Sequence, residues 1–245
     1  METQSYLDHL RHDGDDLARA AQKNLDANVP SCPGWDVAEL VRHTSAVHRG
    51  KAAIVRAGGT TRPKNLADDP GPGDRNELLD WYRGGLDDLI GVLSKTDPAT
   101  PAWTWGTGST AGWWARRMAQ ETAVHRWDAE NAVGDPAPID AELASDGIDE
   151  FLGEFVPGEA IPWKGPAGTI HFHCTDVDGE WTVSLEPGSV PSYSTGHSKG
   201  DGAVRGGASD LLLFVWRRVA ASEVEVLGDA ALVDDFWTYL REPGQ

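Results

Sequence analysis

Two periods of hydrophobic spacing divide this chain, one near that of a helix and one near that of a strand. Over residues 4–25, Leu7, Leu10, Leu17 and Ala21 recur at intervals of three, seven and four, which predicts an amphipathic helix despite Gly14. The run SCPGWDVAELVRHTSAVHRGKAAIVRAGG carries Leu40, Val41, Thr44, Val47 and Val55 on an apolar stripe. Asp36 and Glu39 have the spacing of a capping box, and Gly58-Gly59 supply a stop. A third helix opens at Asp74 and Glu77 with the same device and runs through Leu78, Tyr82, Leu86, Leu89 and Leu93. A fourth begins near Ser109 or Thr110 and continues through WWARRMAQETAVHRWDAENAV to Gly134, and a shorter one follows over about 140–155.

After the linker VPGEAIPWKGPAG the period shortens to two. In TIHFHCTD, Ile170, Phe172 and Cys174 alternate with His171 and His173. In GEWTVSLEP, Trp181, Val183 and Leu185 alternate with Thr182, Ser184 and Glu186, and the intervening DVDG is turn chemistry, so the pair predicts a hairpin. A strand at GAVRG, a helix at SDLLLFVWRRVA, a strand at EVEVLG and a helix at DAALVDDFWTYL complete the pattern. The predicted architecture is an all-α up-down four-helix bundle over residues 1–158, followed by a smaller α+β domain over residues 159–245. In such bundles, sites are built from side chains that face inward on different helices.

Charge and composition narrow the function. A formal net charge of -18 and a pI near 4.7 weigh against nucleic acid or an anionic membrane as partner, since both call for basic patches. Cys32 and Cys174 are too few for a disulfide framework, no run reaches membrane-spanning length, and the N-terminus lacks the apolar core of a signal peptide. The expectation is a cytoplasmic, monomeric protein acting on small molecules.

The candidate chemistry lies in MAQETAVHRWDAE, residues 118–130. Glu121, His125 and Asp128 are separated by four and three, hence on one helix face. Such a set is often a solvated surface pair and a stray carboxylate. Here Trp114 and Met118 precede it on the same stripe and Ala132 follows, which implies a buried face, where carboxylates are costly unless paired or metal-bound. Zinc takes imidazole nitrogen and carboxylate oxygen, and a catalytic zinc uses about three protein ligands. The third ligand has two candidates, His43 and His48, which lie about 140° apart around their helix, and the pattern alone does not choose. Asp128 suits a position behind a ligand histidine, accepting from its far nitrogen. Elsewhere, His171 and His173 have ligand spacing but are expected on a solvent face. Cys32 reads as a loop cysteine without an activating neighbour in its own run, Cys174 as core, and GTGST, lacking a lysine, as a helix start and not a phosphate loop.

CPGWDVAELVRH followed by VHRG resembles the second-helix signature of the mycothiol-dependent maleylpyruvate isomerase family, whose N-terminal domain is a DinB-like metal-binding bundle. AVRGGASDLLLFVWRR and EVEVLGDAALV resemble that family's sterol-carrier-like second domain. The resemblance implies His43, counted eight from Trp35, with Glu121 and His125 as ligands of zinc or another divalent metal, and Asp128 behind them. It implies mycothiol as thiol cosubstrate, activated as thiolate for cis–trans isomerisation of a maleylpyruvate-like dicarboxylate or for transfer to a small electrophile. It also implies an arginine for the substrate carboxylates, with Arg205 preferred over Arg217 and Arg83. The rival readings are a metal- or ligand-binding protein without turnover and a zinc hydrolase that needs no thiol.

Overall fold

Residues 1–64 and 71–241 are described by a computed structural model of the chain. Two units appear, Met1–Ala137 and Pro138–Gln245.

The first unit holds α1 (Thr3–Lys23), α2 (Val37–Ala57), α3 (Arg75–Leu93) and α4 (Ala111–Ala132). The capping box of α2 forms in both directions: Asp36 accepts from the Glu39 N–H, and Glu39 accepts from the Asp36 N–H. At α3, Asp74 instead accepts from the Asn76 N–H, one residue earlier than a box requires. Thr110 caps α4 by accepting from the Trp113 N–H. α1 packs mainly on α4 and α2 on α3, around Leu10, Leu17, Leu40, Leu78, Leu86, Leu89 and Trp114, each shielded from solvent. Burying one such leucine stabilises the fold by roughly 1.5–3 kcal/mol.

Gly14, a weak point for helix formation, is where α3 leans on α1. A Cβ there would meet Leu86 Cδ2 at 2.5 Å, and Tyr82 Oη donates to the Gly14 carbonyl at 3.1 Å. Further along α1, Asp13 receives the Arg126 Nε of α4 at 3.2 Å in a buried ion pair. Burial raises the Asp13 pKa against the pull of Arg126. The same guanidinium donates to Glu130 and to the Ala137 carbonyl, which ties down the end of the unit.

In the second unit, α5 (Ala141–Glu150) runs through a π-helical turn (Phe151–Phe155) into the short α6 (Val156–Gly158). The sequence pattern grouped these residues with the bundle and set the boundary at 158. The division falls earlier, because the apolar face of α5 packs on α7 (Ala208–Val215). Phe151 and Phe155 meet the Trp216 ring at 4.7 and 4.8 Å, and Ser209 Oγ accepts from the Ile139 N–H.

The sheet consists of β1 (Gly168–Cys174), β2 (Glu180–Leu185), β3 (Ser192–Thr195), β4 (Gly202–Gly206) and β5 (Glu225–Gly228), in the order β3-β2-β1-β4-β5. The predicted hairpin is present, with Ile170 opposite Val183 and His173 opposite Glu180. β4 joins β1 in parallel. The remaining helix, α8 (Ala230–Tyr239), sets Phe236 against Phe172 and Trp163. β3 has no counterpart in the sequence reading, since SYST offers no apolar alternation. His171 departs from expectation: it is buried at 7% exposure instead of facing solvent.

His48 gives the first unit a dependence on pH. It is fully buried, with Nε2 2.9 Å from Thr122 Oγ1 and its ring 5.8 Å from that of Tyr82. Burial lowers its pKa from 6.5 to about 3, although Glu121 pulls the other way. The unfolded chain therefore binds this proton before the fold does. The stability is whole above the unfolded value of 6.5 and is lost progressively as pH falls toward 3. Between pH 6.5 and about 5 the loss is about 2 kcal/mol. His48→Gln should remove that part of the acid sensitivity, as read from urea midpoints at about pH 7 and about pH 5. An identical acid loss in both proteins would assign the effect to another group.

Candidate metal centre

α2 and α4 bring His43, Glu121 and His125 together, with one donor atom from each lying within 4.8 Å of the other two. Glu121 Oε1 is 3.4 Å from His43 Nε2 and 3.4 Å from His125 Nε2. The rings of His43 and His125 meet edge to face at 5.2 Å, so their nitrogens converge without stacking. His48, five residues from His43, points into the core toward Thr122 and Tyr82, away from the cluster.

Two of these side chains are held from behind. His125 Nδ1 lies 3.0 Å from Asp128 Oδ2, which leaves Nε2 for the cluster. Glu121 Oε2 accepts from Arg117 Nη2 at 2.8 Å, which leaves Oε1. Trp35 packs its ring 4.9 Å from that of His43. Two imidazoles and a carboxylate, with His125 and Glu121 each held by a far atom, fit a divalent metal of the zinc type.

The electrostatics belong to a charge-dense cluster. Burial alone would raise the Glu121 pKa, but the hydrogen bonds from His125 and His43 outweigh it and hold the carboxyl well below its usual range. Burial likewise works against a charged His125, yet Asp128 and Glu121 lift its pKa to about 9.

Several partners lay beyond the sequence reading. Asp128, with no exposure, also accepts from Ser31 Oγ at 2.5 Å, and Cys32 Sγ sits 3.9 Å from its other oxygen. Cys32 is thus a neighbour of the site, joining His125 and Asp128 in a second possible ligand group. These contacts cross 97 and 96 positions of chain, and no local pattern announces them. Arg117 was within reach of sequence logic, standing four residues before Glu121 as His125 stands four after. So was Lys51, two turns after His43 on α2, whose ammonium lies 5.0 Å from the Trp114 ring. Burial depresses the Lys51 pKa, with Arg117 and Arg62 adding to the effect and Glu121 opposing it.

Arg205 belongs to β4 in the second unit. It is exposed and donates to Glu225, its cross-strand partner, at 3.0 Å. Trp113 packs against Trp105 and Trp114 in the bundle unit.

Residues 7–130 match the family profile described as the mycothiol maleylpyruvate isomerase N-terminal domain, and residues 142–235 match that of the MDMPI C-terminal domain. Two crystal structures of the mycothiol-dependent maleylpyruvate isomerase, one with a histidine replaced by alanine, share this fold. Each is 12% identical, covers 92% of this chain and 93% of its own, and superposes with a TM-score of 0.64. No curated protein matches the chain in sequence.

If Asp128 orients His125, Asp128→Asn should weaken metal binding by about 10- to 100-fold. Ser31→Ala, which leaves the His125–Asp128 contact in place, should change it less. Competition with a chromophoric chelator measures both. Wild-type affinity in Asp128→Asn would leave Asp128 only the task of seating the loop.

Proposed function

The chain belongs to the mycothiol maleylpyruvate isomerase family, and from that premise we propose that it is a metal-dependent isomerase using a small thiol, mycothiol, on a maleylpyruvate-like dicarboxylate. The observation that carries the reading is the convergence of His43, Glu121 and His125, with Asp128 fixed behind His125.

In this reading those three side chains hold a divalent metal, zinc first. Bound there, the metal would supply the charge that makes a thiol ionise near neutral pH. Two neutral imidazoles and one carboxylate leave that charge only partly cancelled, which suits an anionic sulfur. Asp128 keeps His125 in the tautomer that presents Nε2, and Arg117 keeps Glu121 turned toward the cluster. The thiolate would add to one carbon of the cis double bond while the electron pair passes to the conjugated carbonyl as an enolate. The resulting single bond rotates, and collapse of the enolate expels the thiolate and leaves the trans product.

A dicarboxylate needs positive charge in a chain this acidic. We assign that part to Lys51, which lies within electrostatic reach of Glu121 and Arg117, rests on the Trp114 ring and is partly withdrawn from water. Arg205, expected in this role from the resemblance, has its guanidinium paired with Glu225. Lys51→Met should accordingly raise KM for the dicarboxylate more than it lowers kcat, and leave metal content unchanged.

Metal analysis followed by turnover with and without mycothiol tests the whole reading. His43→Ala should strip the metal and the activity, whereas His48→Gln should keep the metal. Loss of metal from His48→Gln with retention in His43→Ala would overturn the ligand assignment. Turnover undiminished without thiol would indicate metal-assisted hydrolysis instead.

A further inference from the structure

A second cluster of metal-ligating side chains lies wholly within the α+β unit and shares no residue with the bundle site. We propose that His171, His173, Glu180 and His197 form a separate binding site for a divalent metal ion of the zinc class.

The backbone explains why the four meet. His171 and His173 are two apart on β1 and therefore project from the same face of the sheet. The antiparallel register puts Glu180 of β2 directly opposite His173. His197 follows β3 after Gly196, whose φ of 103° turns the chain back and whose N–H donates to the Glu180 carbonyl at 2.9 Å. Two strands and the segment after β3 are thereby placed around one point.

At that point the carboxylate of Glu180 is surrounded by imidazole nitrogens. His171 Nε2 is 3.1 Å away, His173 Nδ1 3.2 Å and His197 Nδ1 2.7 Å. One donor atom from each of the four lies within 4.8 Å of all the others. The His171 ring stands nearly perpendicular to those of His173 and His197, at 71° and 85°, so nitrogens and not ring faces are turned inward. A contraction of the group by small rotations would bring four donors to the 2.0–2.2 Å at which zinc is held, a roughly tetrahedral N₃O set.

The chemistry selects the ion. Calcium and magnesium prefer sets made of oxygen, whereas three imidazoles favour zinc, nickel or copper. A cation's natural opponent here is Arg205, which neighbours His173 across β4, and Glu225 neutralises it at 3.0 Å. Solvent access is graded: the His171 side chain is 9% exposed, His173 33% and His197 79%. The site thus has a rigid floor in the sheet and an open approach through a histidine on a loop. Bound metal would pin the hairpin to the segment after β3.

The test uses the full chain with the bundle donors removed by His43→Ala and His125→Ala. Titrated with zinc against a chromophoric chelator, this protein should take up one equivalent with at least micromolar affinity. Cobalt in place of zinc should give the intense visible bands of a tetrahedral ion. Adding His173→Ala and His197→Ala, both at least partly exposed and so tolerable to the fold, should abolish uptake and bands together. If the bundle variant does not fold, the wild-type chain serves: the α+β substitutions should lower its tightly bound zinc by one equivalent. Uptake that is the same with and without His173 and His197, or a weak octahedral cobalt spectrum, overturns the proposal. Failure of the bundle site would appear separately, as metal that is insensitive to His43.

Discussion

A carboxylate cut off from solvent must find its partners inside the protein, and Asp128 imposes that requirement on the bundle. One oxygen receives Ser31, and the other faces His125 and Cys32. Meeting this demand seats the loop between α1 and α2 against α4. It also fixes the ring of His125, so that Nε2 is left to meet Glu121 and His43. Trp35, at the end of the same loop, then covers the ring of His43.

Around that anchor the acidic chain gathers positive charge. Arg117 is almost completely buried and spends its charge on Glu121, and Lys51 lies close enough to feel both. A net charge of -18 over the whole molecule therefore says little about the field around the residues that carry the proposed chemistry. The local field is set by which few cations are held near the ligands. In the α+β unit Glu180 plays a part analogous to that of Asp128: one carboxylate gathers partners from several segments, here imidazoles from β1 and from the segment after β3.

Much of this was legible in the order of residues, and the physical reason is range. Helices and their caps depend on neighbours three or four positions away, so α1 to α4, the Asp36–Glu39 box and the shared face of Glu121, His125 and Asp128 could all be read directly. The hairpin of β1 and β2 was equally plain, because alternation and a turn sequence are local. β3 was not, since SYST has no apolar face and is a strand only because β2 offers it a partner.

What tertiary structure alone decided involves distance along the chain. Periodicity placed His43 and His48 on different flanks of one helix and stopped there; the packing of α2 turned His43 to Glu121 and buried His48 against Thr122. The helix after residue 140 reads the same whichever unit it joins, and only the apolar surface of α7 assigned it. Cys32 had no activating neighbour in its own run, yet it lies beside Asp128 from 96 positions away. His171 and His173 read as solvent-facing until the sheet register brought Glu180 opposite and the turn at Gly196 brought His197 over them. The sequence by itself determined which residue types were available and which of them share a face of one element. Which of them share a site was settled by long-range packing, because no local pattern encodes which faces will meet.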